Sequence, residues 1–333
     1  MAINCGSTPI IMTLDEFLEE WYADGDTIAV KTSGSTGKPK WLQVEKKRMV
    51  ASARMTIQFL GLQPRQAALL CMPLEYIAAK MMVVRALVGD LRLICIEPTG
   101  HPMAHPAVVD ERIDFAAMVP LQVFNSMMVP EEKNRLARVG QLIIGGGYIE
   151  RQLENQLSDM TCPVWSTYGM TETLSHVAMR RLNGNDKTQW YTPLQGVSVS
   201  QDDEGCLVID APMLCPQTLH TNDVVRMNAD KRRFIVLGRK DNVICSGGVK
   251  IQAEEVEKRL QPYVNAPFFI GKEKDPKYGE IVVMVVESED KKTLEDIIDG
   301  VLPKYWKPRK IYSVTRLPLT ETGKPMREVN FLK

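Results

Sequence analysis

Thr32-Ser33-Gly34-Ser35-Thr36-Gly37-Lys38-Pro39-Lys40 follows closely on the apolar run Ile28-Ala29-Val30. Its hydroxyls, glycines and lysines bring O–H donors, backbone N–H groups and cations into one short loop, the combination that wraps a polyphosphate. The loop departs from the Walker A pattern G-x-x-x-x-G-K-[ST], which weakens a kinase or P-loop ATPase reading. That pattern needs a hydroxyl residue after the lysine, where Pro39 stands, and a glycine five residues before Gly37, where Thr32 stands. A phosphate loop after a strand points to an α/β fold, in which ligands gather at the carboxyl ends of strands.

Outward from the loop the pattern agrees. Residues 28–30, 67–74, 91–97, 115–120, 141–144 and 163–169 are short apolar runs, and residues 76–87 read as a helix among them. Such alternation predicts a largely parallel, buried sheet. Before it, Thr13 and Glu16 form a capping-box pattern, and Leu14, Phe17, Leu18 and Trp21 share one face of a helix over residues 13–22. After Trp190, residues 196–212 and 224–238 read as β-hairpins turning at 202–205 and 228–231. From Asp241 the pattern is helix at 253–260, strands at 266–271 and 280–287, helix near 293–302 and strand at 310–318. The expected fold is therefore α/β: a large N-terminal domain (1–240) with a mostly parallel sheet and a β-rich subdomain, then a small mobile α+β domain (241–333).

Composition bounds the function. The 333 residues, at roughly 150 per domain, fit about two domains. With 41 Lys+Arg against 41 Asp+Glu, no global field draws the chain to nucleic acid or an acidic membrane. Seven cysteines without a C-x-x-C pair fit a reducing, cytoplasmic setting. No apolar stretch approaches the roughly 18 residues of a membrane span. His101 and His105 are four apart, but Pro102 and Pro106 argue against a helix presenting both rings to zinc.

The loop also resembles, position for position, the [ST]SG[ST]TGxPK motif of the adenylate-forming enzymes, the family of acyl-CoA ligases, luciferases and peptide-synthetase adenylation domains. Further segments resemble that family's motifs in order, from residue 32 to 324. The resemblance implies an ATP site built from Thr32, Ser33, Gly34, Ser35, Thr36, Gly37 and Lys40, with Gly145-Gly146-Gly147 as the adenine loop. It implies that Tyr168-Gly169-Met170-Thr171-Glu172 stacks near adenine through Tyr168, contacts the α-phosphate through Thr171 and holds Mg²⁺ through Glu172. Asp223 and Arg239 would reach the ribose hydroxyls, and Asp241 would be the hinge. Gly247 and Gly248 would line the path of coenzyme A, and Lys324 would be the catalytic lysine. Two departures stand out: only 31 residues precede the phosphate loop, so the resemblance implies a chain lacking much of the family's first subdomain, and Trp41 follows the loop where glycine is usual.

Within the family the sequence is most similar to the shortened bacterial o-succinylbenzoate-CoA ligases of menaquinone biosynthesis. Tyr76 takes the place of a pocket-gating histidine. A dianionic acid needs a cation for the carboxylate that does not react. Lys80 and Arg85 are the candidates; five residues apart, they lie about 140° from each other around an ideal helix. The implied reaction joins 2-succinylbenzoate, ATP and coenzyme A through an acyl-adenylate, releasing diphosphate and AMP. Alternatives are an aryl- or fatty-acid-CoA ligase and a non-catalytic nucleotide-binding relative. The expected partners are these small molecules, without nucleic acid or membrane insertion, and a homodimer is possible.

Overall fold

The computed structural model describes residues 12–31, 41–318, 327 and 329. The phosphate loop and Lys324 lie outside the described residues. The chain divides into two compact units, residues 1–199 with 209–219, and residues 200–208 with 220–333.

In the first unit, helix α1 (Leu14–Tyr22) starts with the predicted capping box, Glu16 N–H donating to Thr13 Oγ1 at 3.2 Å and Thr13 N–H to Glu16 Oε2 at 2.7 Å. The alternation of apolar runs counts residues 28–30 in the parallel sheet, but strand β1 (Thr27–Lys31) lies outside it. It pairs antiparallel with β2 (Trp41–Glu45) in a two-stranded ribbon. Apolar run length alone does not distinguish a ribbon strand from a buried sheet strand. Helix α2 (Lys46–Leu60), which carries no capping side chain, ends on left-handed Gly61.

The main sheet is built from β3 (Ala67–Leu70), β4 (Arg92–Cys95), β5 (Phe115–Met118), β6 (Gln141–Ile144), β7 (Val164–Gly169), β8 (His176–Arg181) and β9 (Thr192–Pro193). Its order is β4-β3-β5-β6-β7-β8-β9. The first five are parallel; β8 and β9 close the edge antiparallel. Side chains alternate between two cores, as the period of two requires. Ala68, Leu70, Phe115, Ala117 and Ile143 pack with α1, α2 and α3 (Ile77–Gly89). Ala67, Leu69, Ala116, Met118, Leu142 and Ile144 face the other core with α4 (Pro106–Val109), α5 (Pro120–Met128), α6 (Pro130–Leu136) and α7 (Arg151–Leu157).

A further sheet, most of whose residues belong to the second unit, runs in the order β10 (Ser198–Gln201), β11 (Cys206–Asp210), β12 (Leu219–Met227), β13 (Phe234–Arg239). The second unit continues with β14 (Val243–Ser246), β15 (Val249–Gln252), α8 (Ala253–Leu260), β16 (Phe268–Asp275), β17 (Gly279–Val286), α9 (Lys291–Val301) and β18 (Lys310–Ser313). Strand β17 pairs antiparallel with β16 over its whole length and parallel with β18. Val282, Met284 and Val286 face α8 and α9, while Ile281, Val283 and Val285 face a core that includes Leu317 and Val329. No helix among the described residues is long and apolar enough to cross a membrane.

Candidate functional site

In the first unit, two motifs meet at the carboxyl ends of neighbouring parallel strands. Gly145-Gly146-Gly147 follows β6 and Tyr168-Gly169 ends β7, with Ile144 registered against Ser166. The backbone there is too close-set for side chains. A Cβ on Gly145 would stand 2.5 Å from Thr167 Oγ1, and one on Gly169 would stand 2.2 Å from the Ser175 carbonyl oxygen and 2.5 Å from His176 Cα. The second clash is with backbone, which cannot rotate away.

Past Gly169 the chain makes a single 3₁₀ turn, Thr171–Thr173, and reverses into β8. Thr173 is fully buried and fixes this reversal. Its hydroxyl accepts from Met170 N–H at 3.0 Å and lies 2.7 Å from the Ser175 carbonyl oxygen. Leu174 takes a left-handed φ of 66° to complete it. The turn leaves Thr171 half-buried and the Glu172 carboxylate exposed, with no ion pair among the described residues. A single free, hard carboxylate beside phosphate oxygens is the donor set that Mg²⁺ takes, so Glu172 fits that ion. The Tyr168 ring lies 5.9 Å from that of Tyr191, whose hydroxyl is 2.7 Å from Ser166 Oγ.

Behind the turn lies a network that sequence reasoning had only half named. Arg85, 2% exposed on α3, donates from Nη2 to Ser175 Oγ at 2.5 Å. Ser175 Oγ is 3.2 Å from His176 Nδ1, and His176 Nε2 is 3.0 Å from Thr56 Oγ1 on α2. Among the described residues no carboxylate faces Arg85, and its Nε has no hydrogen-bond partner. Burial pushes the guanidinium down to about 9, so it remains cationic at neutral pH. His176 was not singled out in the sequence; a lone histidine in a strand carries no signal until the fold sets it beside Arg85.

Burial, and then the Arg85 charge, hold His176 well below its usual range, so it is neutral in the folded chain. The unfolded state takes up a proton near pH 6.5 that the folded state refuses. Stability is therefore complete above that pH and falls as the solution is acidified, by at most about 1.4 kcal/mol per pH unit. Urea midpoints measured from pH 7 to 5 should fall more steeply in the wild type than in His176→Gln. Equal slopes would remove His176 as the cause.

Lys80 points elsewhere, as the angular separation requires. Its Nζ lies 3.6 Å from Glu20 Oε2 on α1, 3.3 Å from Met12 Sδ and 5.1 Å from the centre of the Phe17 ring. Burial lowers its pKa and Glu20 partly restores it. This lysine is a structural tie between α3 and α1. Tyr76 precedes α3 and is 41% exposed.

In the second unit, Asp223 and Arg239 are registered across β12 and β13, with Arg239 Nη1 3.4 Å from Asp223 Oδ1 and Nη2 3.1 Å from Asp241 Oδ2. Gly247 and Gly248 form the two-residue turn between β14 and β15 with φ of 56° and 83°. Two positive φ values in a two-residue hairpin define a type I′ turn, which the absence of a Cβ permits.

Comparison with known proteins adds a family to this geometry. The family model described as AMP-binding enzyme matches residues 25–215, and that described as AMP-binding enzyme C-terminal domain matches residues 255–324. A 2-succinylbenzoate–CoA ligase of Bacillus cereus is 25% identical over 93% of this chain and 70% of its own. One from Enterococcus faecalis is 27% identical over 88% of this chain and 66% of its own. Among solved structures, an acyl-CoA synthetase (AMP-forming)/AMP-acid ligase II-like protein from Dyadobacter fermentans is 35% identical, with a TM-score of 0.65, covering 95% of this chain and 92% of that one. The o-succinylbenzoate coenzyme A synthetase of Bacillus subtilis, in complex with ATP and magnesium ion, superposes with a TM-score of 0.74 at 21% identity, over 90% of this chain and 68% of that one.

Proposed function

We propose that this chain, which belongs to the AMP-binding enzyme family, is an AMP-forming acid-CoA ligase whose acid is 2-succinylbenzoate. The observation that carries the ligase reading is the pairing of Gly145–Gly147 with Tyr168–Glu172 at the ends of adjacent parallel strands. Ligands of open α/β sheets bind at such strand ends.

In this reading the Gly145–Gly147 backbone and Tyr168 hold adenine, and Asp223 with Arg239 holds the ribose. Residues Thr32–Gly37 and Lys40 wrap the phosphates. Thr171 donates to the α-phosphate, and Glu172 would hold Mg²⁺, which when bound would neutralise phosphate charge. The substrate carboxylate attacks the α-phosphorus, its new O–P bond replacing the bond to diphosphate. Lys324 places a cation between carboxylate and α-phosphate as charge develops. The thiol of coenzyme A, arriving past Gly247 and Gly248, then attacks the acyl carbon, and AMP leaves. Asp241 is the hinge about which residues 241–333 turn between the two steps.

Arg85 favours an acid with a second carboxylate. Among the described residues its buried guanidinium has no counter-ion, and such burial costs several kcal/mol, a cost that an anionic ligand offsets. Lys80 is already paired with Glu20, which leaves Arg85 as the better candidate of the two. The test is an acid panel followed by diphosphate release and mass spectrometry of the thioester. With ATP and coenzyme A, 2-succinylbenzoate should outperform benzoate and fatty acids by at least about tenfold in kcat/KM. A preference for a monocarboxylic acid would move the reading to an aryl- or fatty-acid-CoA ligase. No acid-dependent diphosphate at all would mark a nucleotide-binding relative.

A further inference from the structure

Within the second unit, the chain at Arg239–Asn242 is gripped by side chains that lie later in the sequence. Glu254, in the first turn of α8, accepts from the backbone N–H of Arg239 at 3.3 Å and from the side-chain amide of Asn242 through the same oxygen, Oε1. Gln252 Nε2 donates to the Arg239 carbonyl oxygen at 2.9 Å and to the other Glu254 oxygen. Arg239 is thus held at both its N–H and its C=O. Its guanidinium lies between Asp223 and Asp241. Gly238 supplies the room: a Cβ there would stand 2.3 Å from Glu254 Oε2 and 2.4 Å from Gln252 Nε2.

An acid in the first turn of a helix is ordinarily explained by the helix's own N–H groups. Glu254 instead directs its hydrogen bonds to residues 239 and 242, on the far side of β14 and β15 in the sequence. We propose that Glu254 is a positioning residue, a latch that holds the Arg239–Asn242 bend, and that releasing it changes the balance between the two half-reactions. The proposal rests on the reading of Asp241 as the hinge of an adenylate-forming ligase. Glu254 touches none of the reacting groups and acts through Arg239 and Asn242. A bend held by charge-assisted hydrogen bonds is a discrete state, which breaks rather than deforms.

Two variants release the latch by different means. Glu254→Ala removes the acceptor, and Gly238→Ala drives a methyl group into it. Glu254→Gln keeps one acceptor oxygen, and Glu295→Ala, exposed on α9, is the control. Trypsin cuts after Arg239 and Lys240, so limited proteolysis reads the bend without any need for activity. Both latch variants should be cut there about fivefold or more faster than wild type, with Glu254→Gln between and Glu295→Ala unchanged. Pyrophosphate exchange and thioester formation from a presented acyl-adenylate should change in ratio by about fivefold. Melting temperature of Glu254→Ala should stay within about 2 °C, whereas Gly238→Ala, strained at a φ of 157°, should melt lower.

Unchanged cleavage in both variants overturns the latch. Faster cleavage with both half-reactions unaltered or equally reduced overturns the positioning role. A wild-type protein without acid-dependent pyrophosphate exchange would defeat the ligase reading instead, and the proteolysis would still decide whether Glu254 holds the bend.

Discussion

Lys324→Ala is expected to lower acid-dependent pyrophosphate exchange by about 10²- to 10³-fold, the range for removing one preorganised group that stabilises transition-state charge. Formation of the thioester from a presented acyl-adenylate should fall by less than about tenfold. The asymmetry follows from the chemistry. In the first half-reaction two anions, the carboxylate and the α-phosphate, are brought together, and a cation between them lowers that barrier directly. In the second, the mixed anhydride is already formed and the nucleophile is a thiol. Pyrophosphate exchange and single-turnover thioester assays on the same preparation measure the two steps separately. Equal losses in both would assign Lys324 to general binding rather than to adenylation.

Arg85→Met is expected to do two opposite things. The fold should be as stable as the wild type or more so, because an apolar side chain of similar length replaces a buried charge that has no carboxylate partner among the described residues. Yet kcat/KM for 2-succinylbenzoate should fall about 10²-fold or more, since the second carboxylate would be desolvated without a counter-ion. A monocarboxylic aryl acid, however poor a substrate, should be little affected. Thermal unfolding together with kinetics on both acids provides the readout. If both acids lose equally, Arg85 serves to hold Ser175 and the Thr171–Thr173 turn rather than to recognise substrate. Lys80→Met should separate cleanly from it: loss of the tie to Glu20 affects the seating of α1, with no discrimination between acids.

The chemistry of this protein is local in its sequence. A phosphate loop, a Gly-rich turn after an apolar run and a Tyr-Gly-x-Thr-Glu segment are each contiguous, because in the proposed reading each would hold one part of a small ligand with neighbouring backbone groups. Contiguous backbone needs no tertiary structure to be recognised, and alternation of short apolar runs was enough to place the last two segments at strand ends of an α/β sheet. The capping box of α1, the two hairpins and the helix at 253–260 were legible for the same reason, since capping and turn chemistry act within a few residues. What the sequence could not decide was pairing between distant residues. Whether residues 27–31 join the main sheet or form a ribbon depends on which partner strand arrives, and the partner is β2. Lys80 and Arg85 were equivalent as letters on one helix. Glu20, brought to Lys80 by α1, and Ser175, brought to Arg85 by the reversal after β7, gave one cation a carboxylate and left the other without one among the described residues. Burial sets the energy of a charge, and burial exists only once the chain has folded.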